Sequence, residues 1–456
     1  MKTFCTTDRA SRNTQHAARI SALASLTLSV TTLAAPATEP IALNATLLKS
    51  LAAEMRTNHP ALRAAQSRTD AAIFNASGIR KWDDPMVMVG NVVPGPGRSM
   101  AVQEDGNLVY GVEQKLPLWN KPQLARSAAI AGAKARDREV DMTFQYLRRD
   151  LAKALLRAAL ADRTAELITA DLSWFDLVIP LAEERLRAGM GTHAEVVLLQ
   201  NERTRRIHEF HAETNKLAAE LSTVNRALGR AVAATWPSLL LPVLADPMPY
   251  RPALADLACR QEPKLKVIRD EIAAAHAMAR STRALQRPDV TAGLQARQFS
   301  GNLGYREVMA SVKFNLPWGN AERYRSDILR DQSKAKAIEH DLADGEAAVR
   351  EEVFRLTTKL DSARREAVLY RDEVIPRTEA ALSSARTAWE AGRGMARDVI
   401  DLRRMLLDAQ LMIARATAEQ HQMFAELVLC CGLGDFTALE RYYRTGQLPD
   451  EKEEKP

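Results

Sequence analysis

Aromatic residues are scarce in this chain of 456 residues, at 5%, and glycine occurs only 20 times. An aromatic-rich compact core and an all-β architecture of this length are therefore both disfavoured. Beyond the first 37 residues no stretch holds 18 uninterrupted apolar residues, so no helix can cross a bilayer. If the chain spans a membrane, it does so with strands closed into a barrel. Cysteine occurs four times, at Cys5, Cys259, Cys430 and Cys431. Vicinal cysteines rarely pair, and three remain beyond Cys5, so no disulfide framework follows and the thiols read as small buried apolar groups. The chain has no Lys/Arg-rich run for nucleic acid, no nucleophile elbow, no phosphate loop and no paired-carboxylate spacing. His208 and His211 share a helix face, but no cysteine or acid completes a ligand set; no metal site and no cofactor follow.

The chain opens on a secretory pattern. Lys2, Arg9, Arg12 and Arg19 precede a mostly apolar stretch from Ile20 to Ala35, and Ala35-Pro36-Ala37 fits a small-x-small cleavage site. Residues 1–37 carry four basic groups and one acid, so the formal charge falls from +6 to +3 without them.

The mature chain repeats itself. His59-Pro60-Ala61-Leu62 recurs as Glu262-Pro263-Lys264-Leu265, offset by 203. Pro85 recurs as Pro288, and Ala188-Gly189 with Glu195-Val196 recurs as Ala391-Gly392 with Asp398-Val399, all at 203. Leu116-Pro117 recurs as Leu316-Pro317 at 200, whereas Val178-Ile179-Pro180 and Val374-Ile375-Pro376 are 196 apart. Five prolines between 237 and 252 separate the copies and end the helices there. The expected organisation is a leader at 1–37, a first repeat at 38–230, a proline-rich linker at 231–252, a second repeat at 253–435 and a C-terminal tail at 436–456. The fold class is mainly α with a small β part and internal duplication.

From Pro122 to Ala188 the pattern predicts one long helix, roughly 100 Å at 1.5 Å per residue. Leu147, Leu151, Ala154, Ala158, Ala161, Ala165, Ile168 and Leu172 alternate four-three spacing, the seam of a coiled coil. Leu402, Leu406, Ala409, Ile413, Ala416, Met423 and Leu427 repeat it, with Gln420 as the polar member. Other segments alternate with period two. Leu108, Tyr110, Val112 and Leu116 oppose Gly111, Glu113 and Lys115; Val290, Ala292, Leu294 and Ala296 oppose Thr291, Gly293, Gln295 and Arg297; Val308 to Leu316 opposes Ser311, Lys313 and Asn315. Met86 to Val93 is apolar on both faces. One apolar and one polar face suits a stave with lipid outside and water inside, which puts Glu113, Lys115, Gln295, Arg297 and Lys313 on the lumen. Four strands cannot close a barrel, so several copies must share one; these constraints alone allow two, three or four.

Leader, duplicated plan, strand pairs, long helices and the Ala-Gly-x5-acid-Val motif together resemble the TolC-like outer-membrane efflux protein family, over nearly all of the mature chain. The resemblance implies a homotrimer with a 12-stranded outer-membrane barrel and a helical tunnel in the periplasm. It also implies a periplasmic adaptor and an inner-membrane pump as partners. Asp84-Pro85-Met86, Val93-Pro94 and Gln114-Lys115-Leu116-Pro117-Leu118-Trp119-Asn120-Lys121 are similar to the heavy-metal efflux branch, with Asn120 in place of the usual glycine. That makes metal cations the expected cargo, with drugs or proteins as alternatives. A pore-free periplasmic coiled-coil scaffold is the rival from another class. Family members narrow the tunnel entrance with acids, which here match Asp398 and Asp401, with Glu195 as the first copy's counterpart. Gly189 and Gly392 fall at the tip turns. Trp389 matches the aromatic of the entrance latch; Gly394 stands where an arginine is expected, leaving Arg393 or Arg397 to substitute.

Overall fold

The computed structural model describes residues 40–91, 108–298 and 305–446. The leader at 1–37 and the charged end at 450–456 lie outside the described residues.

The first half begins with a short strand β1 (Ile41–Ala42) and helices α1 (Ala45–Asn58) and α2 (Pro60–Gly78). Asn44 caps α1 by accepting from the Leu47 amide at 2.8 Å. The ring of His59 accepts from the Ala61 amide at 3.2 Å, and Pro60 opens α2 where its missing N–H costs nothing. Strands β2 (Met86–Asn91) and β3 (Leu108–Leu116) follow. A 3-10 turn (Leu118–Asn120) leads into α3 (Lys121–Arg187), an unbroken helix of 67 residues, and α4 (His193–Leu228) returns alongside it.

The same order then recurs. After β4 (Leu239–Leu240) come α5 (Pro252–Gln261), α6 (Pro263–Ala284), β5 (Val290–Gln298) and β6 (Tyr305–Phe314). Glu262, the counterpart of His59, caps α6 through the Leu265 amide at 2.7 Å. A 3-10 turn (Pro317–Asn320) precedes α7 (Ala321–Leu369), α8 (Ile375–Glu390) and α9 (Ala396–Cys430). A wide π turn, Tyr370–Val374, joins α7 to α8 just before Pro376. Proline's ring clashes with the carbonyl four residues back, and a wide turn relieves that clash. The corresponding stretch of α3 carries Pro180 without any break, which is where the two copies fall out of register by seven residues.

Most of the seam residues are buried, while Leu147, Leu172, Leu402, Ile413 and Met423 are half-buried. Leu151, Ala154, Ala158, Ala161, Ala165 and Ile168 are sequestered on α3, and Leu406, Ala409, Ala416 and Leu427 on α9. Alanine lets helix axes approach closely, and each narrow stripe is covered by neighbouring helices. Gln420 is fully buried, and both ends of its amide are used. Its Oε1 accepts from the Ala245 amide at 2.9 Å and its Nε2 donates to the Ala245 carbonyl at 3.1 Å.

Two segments differ from expectation. The proline-rich stretch 231–252 is strapped down: β4 pairs in parallel with β1, and Asp162 accepts from Ser238 and from the Leu239 amide, each at 2.8 Å. Residues 436–445, assigned to a tail, form α10 (Phe436–Thr445), capped by Asp435 and seated by Leu439 at 0% exposure. Its few apolar residues lie on one face, which a short window of mixed composition hides.

The four long strands make one antiparallel sheet in the order β2-β3-β5-β6. Among the described residues, both outer strands, β2 and β6, have an edge without a partner.

Candidate functional site: sheet and helix tips

The register fixes which residues share a face of the sheet, because successive side chains alternate. Val87, Val112, Leu294 and Ala310 form one cross-strand row, and Val89, Tyr110, Ala296 and Val308 another. This face is apolar and largely open: Val87 is 71% exposed and Val308 66%. The opposite face carries the row Met86, Glu113, Gly293, Ser311 and the row Met88, Gly111, Gln295, Met309. Lys115 and Lys313 flank Thr291, and Arg297 is opposite Glu307, on that same face.

All five residues expected on the lumen therefore share the polar side. Glu113 sits at its centre, accepting from Lys313 Nζ at 2.5 Å and from Gln295 Nε2 at 3.4 Å. The glycines opposite make room for this cluster: a β-carbon on Gly293 would stand 3.1 Å from Glu113 Cγ, and one on Gly111 2.6 Å from Gln295 Cγ. At the helix end of the sheet Lys115 approaches Asp83 and Asp289, at 3.6 and 3.4 Å, and Lys121 bonds Asp289 at 2.9 Å. Among the described residues no helix is long and apolar enough to cross a membrane.

At the far end of the long helices the two tip turns are built alike. Gly189 and Gly392 adopt φ of +71° and +72°, the left-handed region in which glycine carries no penalty. In the first turn the Gly189 amide donates to Leu186 at 3.1 Å and Met190 to Arg185 at 2.9 Å. In the second, Gly392 donates to Trp389 at 3.0 Å and Arg393 to Ala388 at 2.9 Å. Every partner is offset by the same 203 residues. Thr192 caps α4 through the Glu195 amide, whereas its counterpart Met395 offers α9 no side-chain cap.

Asp398 stands exposed in the first turn of α9, and its carboxylate has no ion-pair partner among the described residues. Asp401, one turn on, is not free: Arg404 reaches it at 3.2 Å and Arg397 at 3.8 Å. Glu195 is half-buried at the equivalent place on α4. Arg393 and Arg397 are exposed.

Trp389 lies inward, 1% exposed, and the arginine beside it is neither of those expected. Arg185, from the end of α3, holds its guanidinium carbon 4.9 Å from the Trp389 ring centroid. The same guanidinium donates to the Glu390 carbonyl at 2.7 Å and the Met190 carbonyl at 3.1 Å, so it ties one tip turn to the other. Further along the helices Asp171, 0% exposed, accepts from Arg206 on α4 at 3.0 Å and from Arg403 on α9 at 2.5 Å. Glu202 receives Arg404 beside it. Sequence reasoning missed Arg185, Asp171, Arg206, Arg403 and Arg404. An acid inside an apolar stripe, as Asp171 is, was the available signal.

Residues 254–433 match the family model described as outer membrane efflux protein. The second repeat carries the match to this family. One relative is the cobalt-zinc-cadmium resistance protein CzcC of Cupriavidus metallidurans, 22% identical over 385 residues, covering 79% of this chain and 87% of that protein. Among solved structures, VceC of Vibrio cholerae superposes with a TM-score of 0.72 at 16% identity, covering 85% of this chain and 96% of that one. CusC superposes with a TM-score of 0.73 at 14% identity, covering 85% and 92%. At such identities these structures speak for the fold of this chain.

Proposed function

We propose that this chain is the exit duct of a tripartite efflux system and that its cargo is metal cations. In this reading a homotrimer closes the four-stranded sheets into a 12-stranded barrel in outer-membrane lipid. An inner-membrane pump supplies the energy, and a periplasmic adaptor links pump to duct. The observation that carries the reading is the sheet itself. Its apolar face is exposed and its two edges lack partners among the described residues, a combination tolerated in lipid only when further copies close the cylinder. Resemblance to a protein named for cobalt, zinc and cadmium resistance supports the cargo.

Within that duct, Glu113, Lys115, Gln295, Arg297 and Lys313 line the barrel. The tips form the entrance, where Asp398 and Asp401 of each copy make an acidic ring that attracts cations, with Glu195 beside it. Arg185 and Trp389 hold the tip turns together. The divisions at 38–230, 231–252 and 253–435 stand as the repeat, strap and repeat of this plan.

The test is conductance. Purified protein is expected to run as a trimer in detergent and to open ion-conducting pores in planar bilayers. A deletion strain is expected to lose tolerance to metals before it loses tolerance to drugs. Protein recovered from the periplasm without detergent, and without conductance, would favour the pore-free scaffold.

A further inference from the structure

Three of the chain's six tryptophans stand at one level, the end of the sheet where strands give way to helices. Trp82 precedes β2, Trp119 lies in the 3-10 turn after β3, and Trp318 in the 3-10 turn after β6. They are 51%, 46% and 65% exposed, whereas Trp389 is buried and Trp174 and Trp236 are half-buried in the helical body. Hydrogen bonds tie the strand ends into one layer. Gln114 donates to the Asp83 carbonyl at 2.7 Å, Trp119 to the Pro288 carbonyl at 2.9 Å, and the Asn315 amide to the Asp289 carbonyl at 3.3 Å. The exposed apolar face of the sheet runs down to this layer through Phe314 and, just beyond the strand, the exposed Leu316.

Cations gather in the same layer without acids to answer them. Arg80, Lys81, Arg287, Arg323 and Arg325 are exposed, and none has an ion-pair partner among the described residues. Two nearby acids, Asp83 and Asp289, are already engaged by Lys115 and Lys121. Only Asp84 and Glu322, both exposed, are left to set against those five. Arg287 lies over the Trp119 ring with its guanidinium carbon 5.1 Å from the centroid. One of the unanswered charges is thus fixed against one of the exposed indoles.

We infer that this layer is a seat for anionic phospholipid headgroups at the periplasmic surface of the outer membrane. The inference rests on the duct reading and adds which lipid the duct gathers around itself. Indole rings favour the boundary between hydrocarbon and water, where one end is apolar and the other wet. Arginine and lysine beside that boundary are drawn to anionic headgroups, and a guanidinium matches a phosphate with two parallel hydrogen bonds. A zwitterionic lipid brings its own ammonium to its phosphate, so unanswered cations favour lipids that lack one. Free phosphate would meet the charges but leave the indoles, Phe314 and Leu316 in water. A lipid has both an acyl end and a phosphate end, and this layer offers a partner to each.

The experiment is quenching of tryptophan fluorescence in vesicles of phosphatidylcholine and phosphatidylglycerol, with bromine on the acyl chains of one lipid or the other. In wild type, brominated phosphatidylglycerol is expected to quench at least about twofold more per mole than brominated phosphatidylcholine. That excess is expected to vanish in 1 M salt, where the screening length is about 3 Å. The Arg80→Gln/Lys81→Gln/Arg287→Gln/Arg323→Gln/Arg325→Gln variant is expected to lose the excess while keeping pore conductance and quenching by phosphatidylcholine. Trp82→Phe/Trp119→Phe/Trp318→Phe is expected to lose quenching by both lipids. If the fivefold variant fails to assemble, Arg287→Gln alone is expected to lose part of the excess. Equal quenching by the two lipids in wild type, or quenching that survives loss of the three tryptophans, overturns the headgroup seat and leaves the duct standing. So does an excess abolished by inorganic phosphate but not by chloride of equal ionic strength, which would mark a free-anion site. A wild type that forms no pore overturns the duct, and the seat with it.

Discussion

Arg185 stacks on Trp389 with its guanidinium carbon 4.9 Å from the ring centroid, and from that position it donates to carbonyls of both tip turns. One side chain of the first repeat thus fixes the end of the second. Replacing it with methionine, similar in length but without donors, leaves the Glu390 and Met190 carbonyls without this partner. The expected result is a larger single-channel conductance for Arg185→Met, with Arg185→Lys intermediate because lysine cannot span both carbonyls. Unchanged conductance in both would remove Arg185 from the entrance.

Asp171 makes a separate prediction about stability. It is completely buried between two arginines, one on α4 and one on α9. Removing one member of a buried charge cluster leaves the others uncompensated, at a cost of about 3–5 kcal/mol. Asp171→Ala is expected to unfold at markedly lower denaturant than wild type. Asp171→Ala with Arg206→Met and Arg403→Met, which removes both of its arginines and leaves only the solvent-reached Glu209 without its Arg206 partner, is expected to recover much of that loss. Equal loss in the single and triple variants would mean that packing, not charge, decides this site.

Neutralising Asp398 and Asp401 together to asparagine is expected to reduce the preference for cations over anions, read as a shift in reversal potential across a salt gradient. Asp398→Asn alone is expected to carry most of the effect, since Asp401 already has Arg404 at 3.2 Å and Arg397 at 3.8 Å. An unchanged reversal potential in the double variant would place the selectivity elsewhere.

His421 predicts a pH dependence. Burial lowers the pKa of its half-buried ring below the ordinary 6.5, and the hydrogen bond to the Val243 carbonyl at 2.8 Å only partly offsets this. The unfolded chain therefore takes up a proton at a pH where the folded chain does not, and stability falls as pH drops below about 6.5. His59, also lowered by burial, adds to the slope. Glu262, raised by burial, acts with opposite sign above its ordinary 4.5. Melting temperature is expected to decrease between pH 7.5 and 5.5 in wild type and to decrease less in His421→Gln. An identical slope in the variant would rule His421 out.

Periodic features were legible in the sequence. The Leu151-to-Ile168 seam and the alternation of Leu108–Leu116 are local patterns, and helix and strand geometry convert them directly into faces. The helix expected over 122–188 is observed over 121–187. Strand β2 was opaque because methionine counts as apolar by composition, so a strand with valine on one face and methionine on the other shows no alternation. The residues that tie the tips were opaque for another reason. Arg185 and Glu390 are 205 positions apart and Asp171 and Arg403 232 apart, and no periodicity links such pairs. Gln420 was visible as a polar break in its seam, but its partner Ala245 lies in a stretch whose prolines read only as a linker.

The open margins of β2 and β6 bear on how the protein reaches its membrane. On the proposed function, a lone subunit can complete its helical body, whose hydrogen bonds are internal, but it cannot enter hydrocarbon with two strand borders that lack partners among the described residues. Insertion must then wait for encounter between subunits, so its rate should climb more steeply than linearly with protein concentration.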